Sequence, residues 1–469
     1  MIASLSFSLE SNDVPRYQQL QQQLVEAIEQ GRLAVGEKLP SSRSLAQSLG
    51  VSRSVVIQTY EQLIAEGVLI SEPKRGVFVA AVERVMPKSE RIVESAPKVQ
   101  PFIFDSGVDV AVFPSKDWAA SMRRGWLNPD PNLLTGGFRA GFPALRQAIV
   151  EYLYALRGLE CSPEQIILTA GNRDALALLT HALQQDTRTW LLENPTYPPI
   201  QASVANFAIH RLNVGEQGAH PPEAMSAWTA ILTPNRQYPL GVSYSSPVRE
   251  QWLEALASGH GYVIEDDYDN EFVYQGKPQA PLMQLAQRRG AASERVFYVG
   301  SFSKVLFRGL RMGFIVAPLT QVERVLVSQQ ALGLAASLPI QPVVADFMKN
   351  GSFYRHLNRM RRHYRHKRDA LIDALDQHLT PWFDWERPNG GMHVVVYLKP
   401  DYTAQTWWQA LDQGCREMGL QLSWLHQHYP KDESAPRGLV LGFSGPDEQL
   451  QAQWVAWIAE VAQKIPVSD

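Results

Sequence analysis

Apolar positions in the first eighty residues fall at helical spacing. In "PRYQQLQQQLVEAIEQGRL" Leu20, Leu24 and Ile28 recur at four-residue steps, the stripe of an amphipathic helix that Gly31 stops. In "LPSSRSLAQSLG" Pro40 and two serines mark a helix start and Gly50 its end, so a short second helix is predicted. Ser52 then caps a third helix with Val56, Tyr60, Leu63 and Ile64 on one face, ending at Gly67. After it the period changes to alternation: "VLI" and "VFV" flank "SEPKRG", a β-hairpin whose tip bears Lys74 and Arg75. Helix, helix-turn-helix and basic wing is the order of a winged DNA reader.

From Ala81 to Pro101 neither period is sustained. Charges, serine and three prolines there predict a tether. From Phe102 to Asp469 strand-like runs ("QIILT", "TWLLE", "AWTAILT", "YVIEDDY", "RVFYVGSF", "MGFIVAP") alternate with helical ones, the pattern of an α/β domain with a mainly parallel sheet. Its functional residues are expected at strand ends and in the loops after them.

At 469 residues the chain is long enough for two or three domains, and 45% hydrophobic with 19% charged residues describes a soluble globular protein. A net charge of -3 excludes a globally basic protein. Even in the first eighty residues acids slightly outnumber bases, so DNA contact relies on Arg43, Arg53, Lys74 and Arg75 sharing one face. Ser52 and Ser54 at the start of the third helix, and Thr59 further along it, are the further candidates for reaching phosphates and base edges. No segment has the form of a signal peptide or approaches the roughly 18 apolar residues needed to span a bilayer, so a cytoplasmic protein without membrane contact is expected. Cys161 and Cys415 lie far apart without a CxxC or His-rich context, indicating neither a disulfide framework nor a metal site.

The stretch "YVGSFSKVLFRGLRMGF" sets one lysine, Lys304, among hydroxyls (Ser301, Ser303), apolar residues and glycine, with Arg311 seven residues on. A partly dehydrated lysine loses its proton readily and forms a Schiff base with an aldehyde cofactor, while an arginine fork and hydroxyl donors suit a phosphate. Together they point to pyridoxal phosphate. That cofactor needs a carboxylate at its ring nitrogen, which Asp266 or Asp267 supplies, and a phenol near its ring hydroxyl, which Tyr268 supplies. It also needs a phosphate-cradling turn, which Gly171, Asn172 and Arg173 offer between a strand and a helix, and an aromatic plate, which Tyr197 offers.

The motifs "PRYQQL", "LPSSRSLA", "LGVSRSVV" and "YEQLIAEGVL", over Val14 to Ala80, resemble the GntR-type winged helix-turn-helix, a small α+β domain. The order Gly171, Tyr197, Asp266, Lys304, Arg311 resembles the fold-type I pyridoxal-phosphate aminotransferases, a large α/β domain. The two in series, with "TPNRQYPLG", "EDDYDNEF" and "GSFSKVLFRGLR", resemble the MocR-type regulators. The resemblance implies a homodimeric regulator that binds double-stranded DNA. By the same resemblance Lys304 would hold pyridoxal phosphate as an internal aldimine, Asp266 would pair with the pyridine nitrogen, Tyr268 with O3′ and Arg311 with the phosphate.

Three positions depart from the relatives. Tyr238 stands where aminotransferases have an asparagine, Val440 where they grip the substrate carboxylate with an arginine, and Pro199 where a GABA-responsive relative has one. Arg437, Arg173 and Arg236 remain as candidates for an effector anion. The expected function is therefore a regulator sensing an amine or vitamin B6-related effector; the alternative is an active aminotransferase carrying a DNA-binding module. The seven basic residues from Arg355 to Arg368 are expected on an exposed helix face, where they could form a secondary DNA contact.

Overall fold

A computed structural model describes residues 14–81, 104–430 and 435–466 except Ala224, His260 and Asn270, together with Phe7 and Leu9. Beyond Ala81, the predicted tether lies outside the described residues. The chain divides into two compact units, Met1–Val99 and Gln100–Asp469.

The first unit contains helices α1 (Arg16–Glu29), α2 (Ser42–Leu49) and α3 (Arg53–Ala65) and the hairpin of β1 (Leu69–Glu72) and β2 (Gly76–Val79). Leu20 and Leu24 of α1, Leu45 of α2, and Val56 and Leu63 of α3 close one apolar core with Leu69 and Val79. Ser41 caps α2 by accepting the Ser44 amide at 3.2 Å, and Gly50 ends it at φ 65°. Ser52 precedes α3 without capping it; its hydroxyl pairs with that of Ser54 at 2.8 Å. Thr59 departs from expectation. It is fully buried, its hydroxyl placed between Val55 O at 2.9 Å and Tyr17 O at 3.1 Å, so it fastens α3 to α1 and is not available to DNA.

The second unit is built on a seven-stranded sheet of β3 (Ile166–Thr169), β4 (Thr189–Asn194), β5 (Ile209–Asn213), β6 (Trp228–Leu232), β7 (Gly261–Asp267), β8 (Val296–Ser301) and β9 (Gly313–Val316). The order is β3-β9-β8-β7-β6-β4-β5; the five strands from β8 to β5 are parallel, and β9 runs antiparallel to both its neighbours. Apolar clusters on both faces bury it, which is why β6 and β8 read as nearly continuous apolar runs. A second, antiparallel sheet joins β10 (Phe383–Trp385), β11 (His393–Leu398) and β12 (Gly438–Gly442).

Register places the site. Gly313 lies opposite Thr169 on one side and Ser301 on the other, and Asp267 lies opposite Gly300. The ends of β3, β7 and β8 and the start of β9 therefore lie together at one end of the sheet's strands.

The basic helix Ser352–His378 divides its cations between a packed side and an exposed one. Lys367 and Arg368 are buried, Arg361 and Arg365 donate to Glu271 O and Tyr274 O, and Arg359 donates to Val112 O. These hydrogen bonds fasten the helix to its neighbours, while Arg355, Arg359, Arg362 and Arg365 remain exposed. Among the described residues, no helix is long and apolar enough to cross a membrane.

Candidate functional site

Lys304 lies in the turn after β8. Burial, and to a lesser extent Arg308, lower its pKa to about 8, against the opposing pull of Asp269 and Asp105. Its Nζ donates to Ser106 O at 2.7 Å and lies 3.2 Å from Ser106 Oγ. The segment holding Ser106 crosses β12 where Gly442 leaves room: a Cβ there would stand 2.3 Å from Ser106 N.

Six carboxylates are buried near the ends of β4 and β7: Glu193, Glu265, Asp266, Asp267, Asp269 and Glu271. Five find a charged partner, a hydroxyl or backbone amides. Glu193 accepts from the Thr233 amide and hydroxyl and from Tyr244; Glu265 from the Leu282 and Met283 amides; Glu271 from Tyr152. Asp267 is held by Arg157 at 3.0 Å and by the Tyr298 hydroxyl at 2.6 Å, and Asp269 by Arg236 at 3.1 Å. Among the described residues, Asp266 has only the neutral Asn172 amide, at 2.7 Å. Burial and the neighbouring acids push its pKa up to about 8. Of the adjacent aspartates, then, Asp267 is committed to structure and Asp266 faces the site short of a donor. Beside it the buried Tyr268 hydroxyl has no partner among the described residues.

The phosphate candidates meet at the same end of the strands. Gly171, at φ 97°, stands at the N-terminus of the helix Asn172–Leu183, and a Cβ on Gly313 would come within 3.1 Å of its Cα. Ser301 Oγ accepts the Ser303 amide at 3.1 Å. Arg311, two residues before Gly313, is exposed, without an ion pair among the described residues, and left-handed at φ 48°, a conformation costing an L-residue about 1 kcal/mol or more.

Tyr238 occupies the middle of an aromatic cluster, with ring centres 5.2 Å from Tyr197, 5.8 Å from Tyr268 and 5.3 Å from both His393 and His428. Burial lowers both histidines to about 4, so they are neutral at physiological pH. Sequence reasoning missed both histidines and Ser106. His393 lies on a strand it had not singled out, and Ser106 follows the tether in a stretch without periodicity.

The effector candidates separate. Arg437 stacks over the Trp408 ring at 5.3 Å, Arg173 is exposed on the Asn172–Leu183 helix, and Arg236 is clamped to Asp269. Val440 packs with Val395 and Leu425 in a small apolar cluster, so no cation stands in place of the missing arginine.

On the first unit Arg43, Ser52, Arg53 and Ser54 are exposed, and Arg53 Nε donates to Ser42 Oγ at 3.2 Å, which brings the leading ends of α2 and α3 together. At the wing Arg75 pairs with Glu72 and lies over the Phe78 ring at 5.5 Å. Lys74, at the tip, has no ion pair among the described residues.

Two family models match. Bacterial regulatory proteins of the gntR family cover residues 16–79, and aminotransferase class I and II covers residues 109–420. The chain is 31% identical to the HTH-type pyridoxine biosynthesis transcriptional regulator PdxR of Corynebacterium glutamicum, over 99% of both proteins. It is 30% identical to the probable rhizopine catabolism regulatory protein MocR of Rhizobium meliloti, over 94% of this chain and 93% of that one. Among solved structures, the α-aminoadipate aminotransferase LysN of Thermus thermophilus superposes with a TM-score of 0.65 at 24% identity, over 77% of this chain and 92% of that one, a likeness of fold.

Proposed function

We infer the function from one premise: the chain belongs to the MocR-type regulators, which join a GntR-type helix-turn-helix to an aminotransferase class I and II domain. It is a DNA-binding transcriptional regulator. We propose that the second unit binds pyridoxal phosphate at Lys304 and uses it to sense an amine or a vitamin B6-related effector. The observation that carries this is Asp266, which meets the neutral Asn172 amide and no cation or hydroxyl among the described residues, beside the unpartnered Tyr268 hydroxyl. A ring N–H and a ring oxygen are what these two groups lack. Bound cofactor supplies an aldehyde for the Lys304 amine. Arg311, Ser301, Ser303 and the Gly171–Asn172 turn would hold its phosphate, and Tyr197 would cover its ring.

Neutral His393 and His428 and the apolar Val440 cluster offer no counter-charge to an effector carboxylate at this recess. That favours an amine or a B6 compound over an amino acid gripped by two arginines, and the PdxR relative's name points the same way. The alternative, a working aminotransferase, lacks support for substrate binding at Val440. Lys304 also holds Ser106, close behind the tether that leads from the DNA-binding unit, so engaging the lysine frees that segment. Exposed Met122, Leu127 and Leu134 favour a homodimer in which a second copy covers them, a state that sedimentation measures.

The test uses purified protein with added pyridoxal phosphate. Borohydride reduction is expected to fix the cofactor to the Lys304 peptide, seen by mass spectrometry, and not to the Lys304→Ala protein. A promoter fragment should be retarded by both, with the effector response lost in the variant. Fixation elsewhere, or none, overturns the cofactor reading. Sustained amino transfer to a keto acid establishes the alternative.

A further inference from the structure

A cleft of about 920 Å³ lies between the loops after β6 and β7 and the strands β10 and β11. Arg236 lines it, and its setting is built rather than incidental. Nε donates to Asp269 at 3.1 Å and the side chain is only 11% exposed. The guanidinium lies against two glycines: a Cβ on Gly390 would stand 2.2 Å from Nη2, and one on Gly391, at φ 79°, 3.0 Å from Nε. "NGGM" thus makes room for this arginine. Its terminal nitrogens donate to no protein acceptor among the described residues.

An arginine tied through Nε, with its terminal nitrogens free in a cleft, presents a fork matched to a planar anion. The other charges lining the cleft decide which anion. Arg236, Lys277 and Arg387 are balanced by Glu216, Asp384 and Glu386, so no surplus positive charge awaits a dianion. Leu240, Val242, Val273, Trp385 and Val395 supply apolar wall. We propose that this cleft, which shares His393 with the recess at Lys304, binds a small carboxylate with an apolar body, held by the Arg236 fork and not by the lysine.

Asp269 connects the two. It holds Arg236 on the cleft side and acts on the charge of Lys304 on the other, so an anion that draws on Arg236 alters the electrostatics of the lysine. This coupling, unlike the cleft itself, rests on the reading that Lys304 holds the cofactor.

Calorimetric titration of the full-length protein with sodium benzoate, and with inorganic phosphate for comparison, tests the site with and without pyridoxal phosphate. Benzoate is expected to bind the parent and Lys304→Ala alike. It should bind at least tenfold more weakly to Arg236→Lys, which keeps a charge against Asp269 but loses the fork, and to Val242→Trp, which narrows the cleft with Arg236 intact. Absent binding to the parent, undiminished binding in both cleft variants, loss of binding in Lys304→Ala, or tighter binding of phosphate than benzoate each overturns the proposal. Saturating benzoate should change cofactor affinity at least threefold; an unchanged value overturns the coupling alone. Because benzoate is also measured without cofactor, a failure of the cofactor reading stays distinguishable from a failure of the cleft.

Discussion

On the first unit Arg43, Arg53 and Lys74 stand in water on a scaffold whose core closes without them, whereas Lys304, Asp266 and Tyr268 lie at the ends of central strands of the large sheet among groups that set their charge. A surface of the first kind gains affinity by adding cations to a stable fold. A site of the second kind must balance each buried charge, and Asp266 beside Asp267 shows the outcome: one acid meets the Arg157 guanidinium and the Tyr298 hydroxyl, whereas the other meets the neutral Asn172 amide. Substitutions should therefore separate cleanly. Those in the first region alter DNA affinity alone, and those in the second alter folding or cofactor binding according to which acid they touch.

The largest effect is expected from Arg157→Met, which leaves Asp267 buried without its cation. A loss of about 3–5 kcal/mol from the second unit should appear in denaturant unfolding, while the first unit keeps its structure. Equal loss in both units would break the comparison. Next, Asp266→Asn should weaken pyridoxal phosphate binding by about 10- to 100-fold, roughly 1.4–2.8 kcal/mol, by spectroscopic titration. The same change should not lower the melting temperature of the cofactor-free protein, because it removes a buried carboxyl whose charged form burial disfavours. Arg53→Ala should cost about 1–2 kcal/mol in DNA affinity, with a shallower salt slope and unchanged cofactor uptake.

The pH dependence of cofactor capture sharpens the picture of Lys304. Its folded pKa is depressed to about 8, so the reactive neutral amine is scarce below that value and dominant above it. The initial rate of cofactor uptake should rise about tenfold per unit as pH climbs toward 8, then level off. A rate flat from pH 6 to 9 would contradict it. The smallest difference lies between two serines. Ser41→Ala removes a cap bond and should cost about 1 kcal/mol of stability, whereas Ser52→Ala, which removes none, should change thermal unfolding little.

Much of the fold was legible in the sequence because period and cap chemistry are local properties. The stripe Leu20, Leu24, Ile28 and the glycines at 31, 50 and 67 bracket the helices, and continuous apolar runs mark β3, β4 and β6 through β9. The misreadings arose where a side chain's direction decides its role. Thr59 has the chemistry of a DNA-facing residue but points inward to Tyr17, and Lys367 and Arg368 are buried although Arg355, Arg359, Arg362 and Arg365 in the same basic run are exposed.

By itself the sequence determined the two-part organisation, the winged helix-turn-helix, the alternating α/β pattern and the lysine in its run of serines and glycine, since each depends on residues near one another in the chain. Only the tertiary structure gave Asp266 and Asp267 their different partners, gathered Tyr197, Tyr238, His393 and His428, set Ser106 against Lys304, and seated Arg236 on Gly390 and Gly391. Those outcomes depend on contacts between segments up to about two hundred residues apart. The partner that fixes a buried group's charge is supplied by packing and leaves no trace in local spacing.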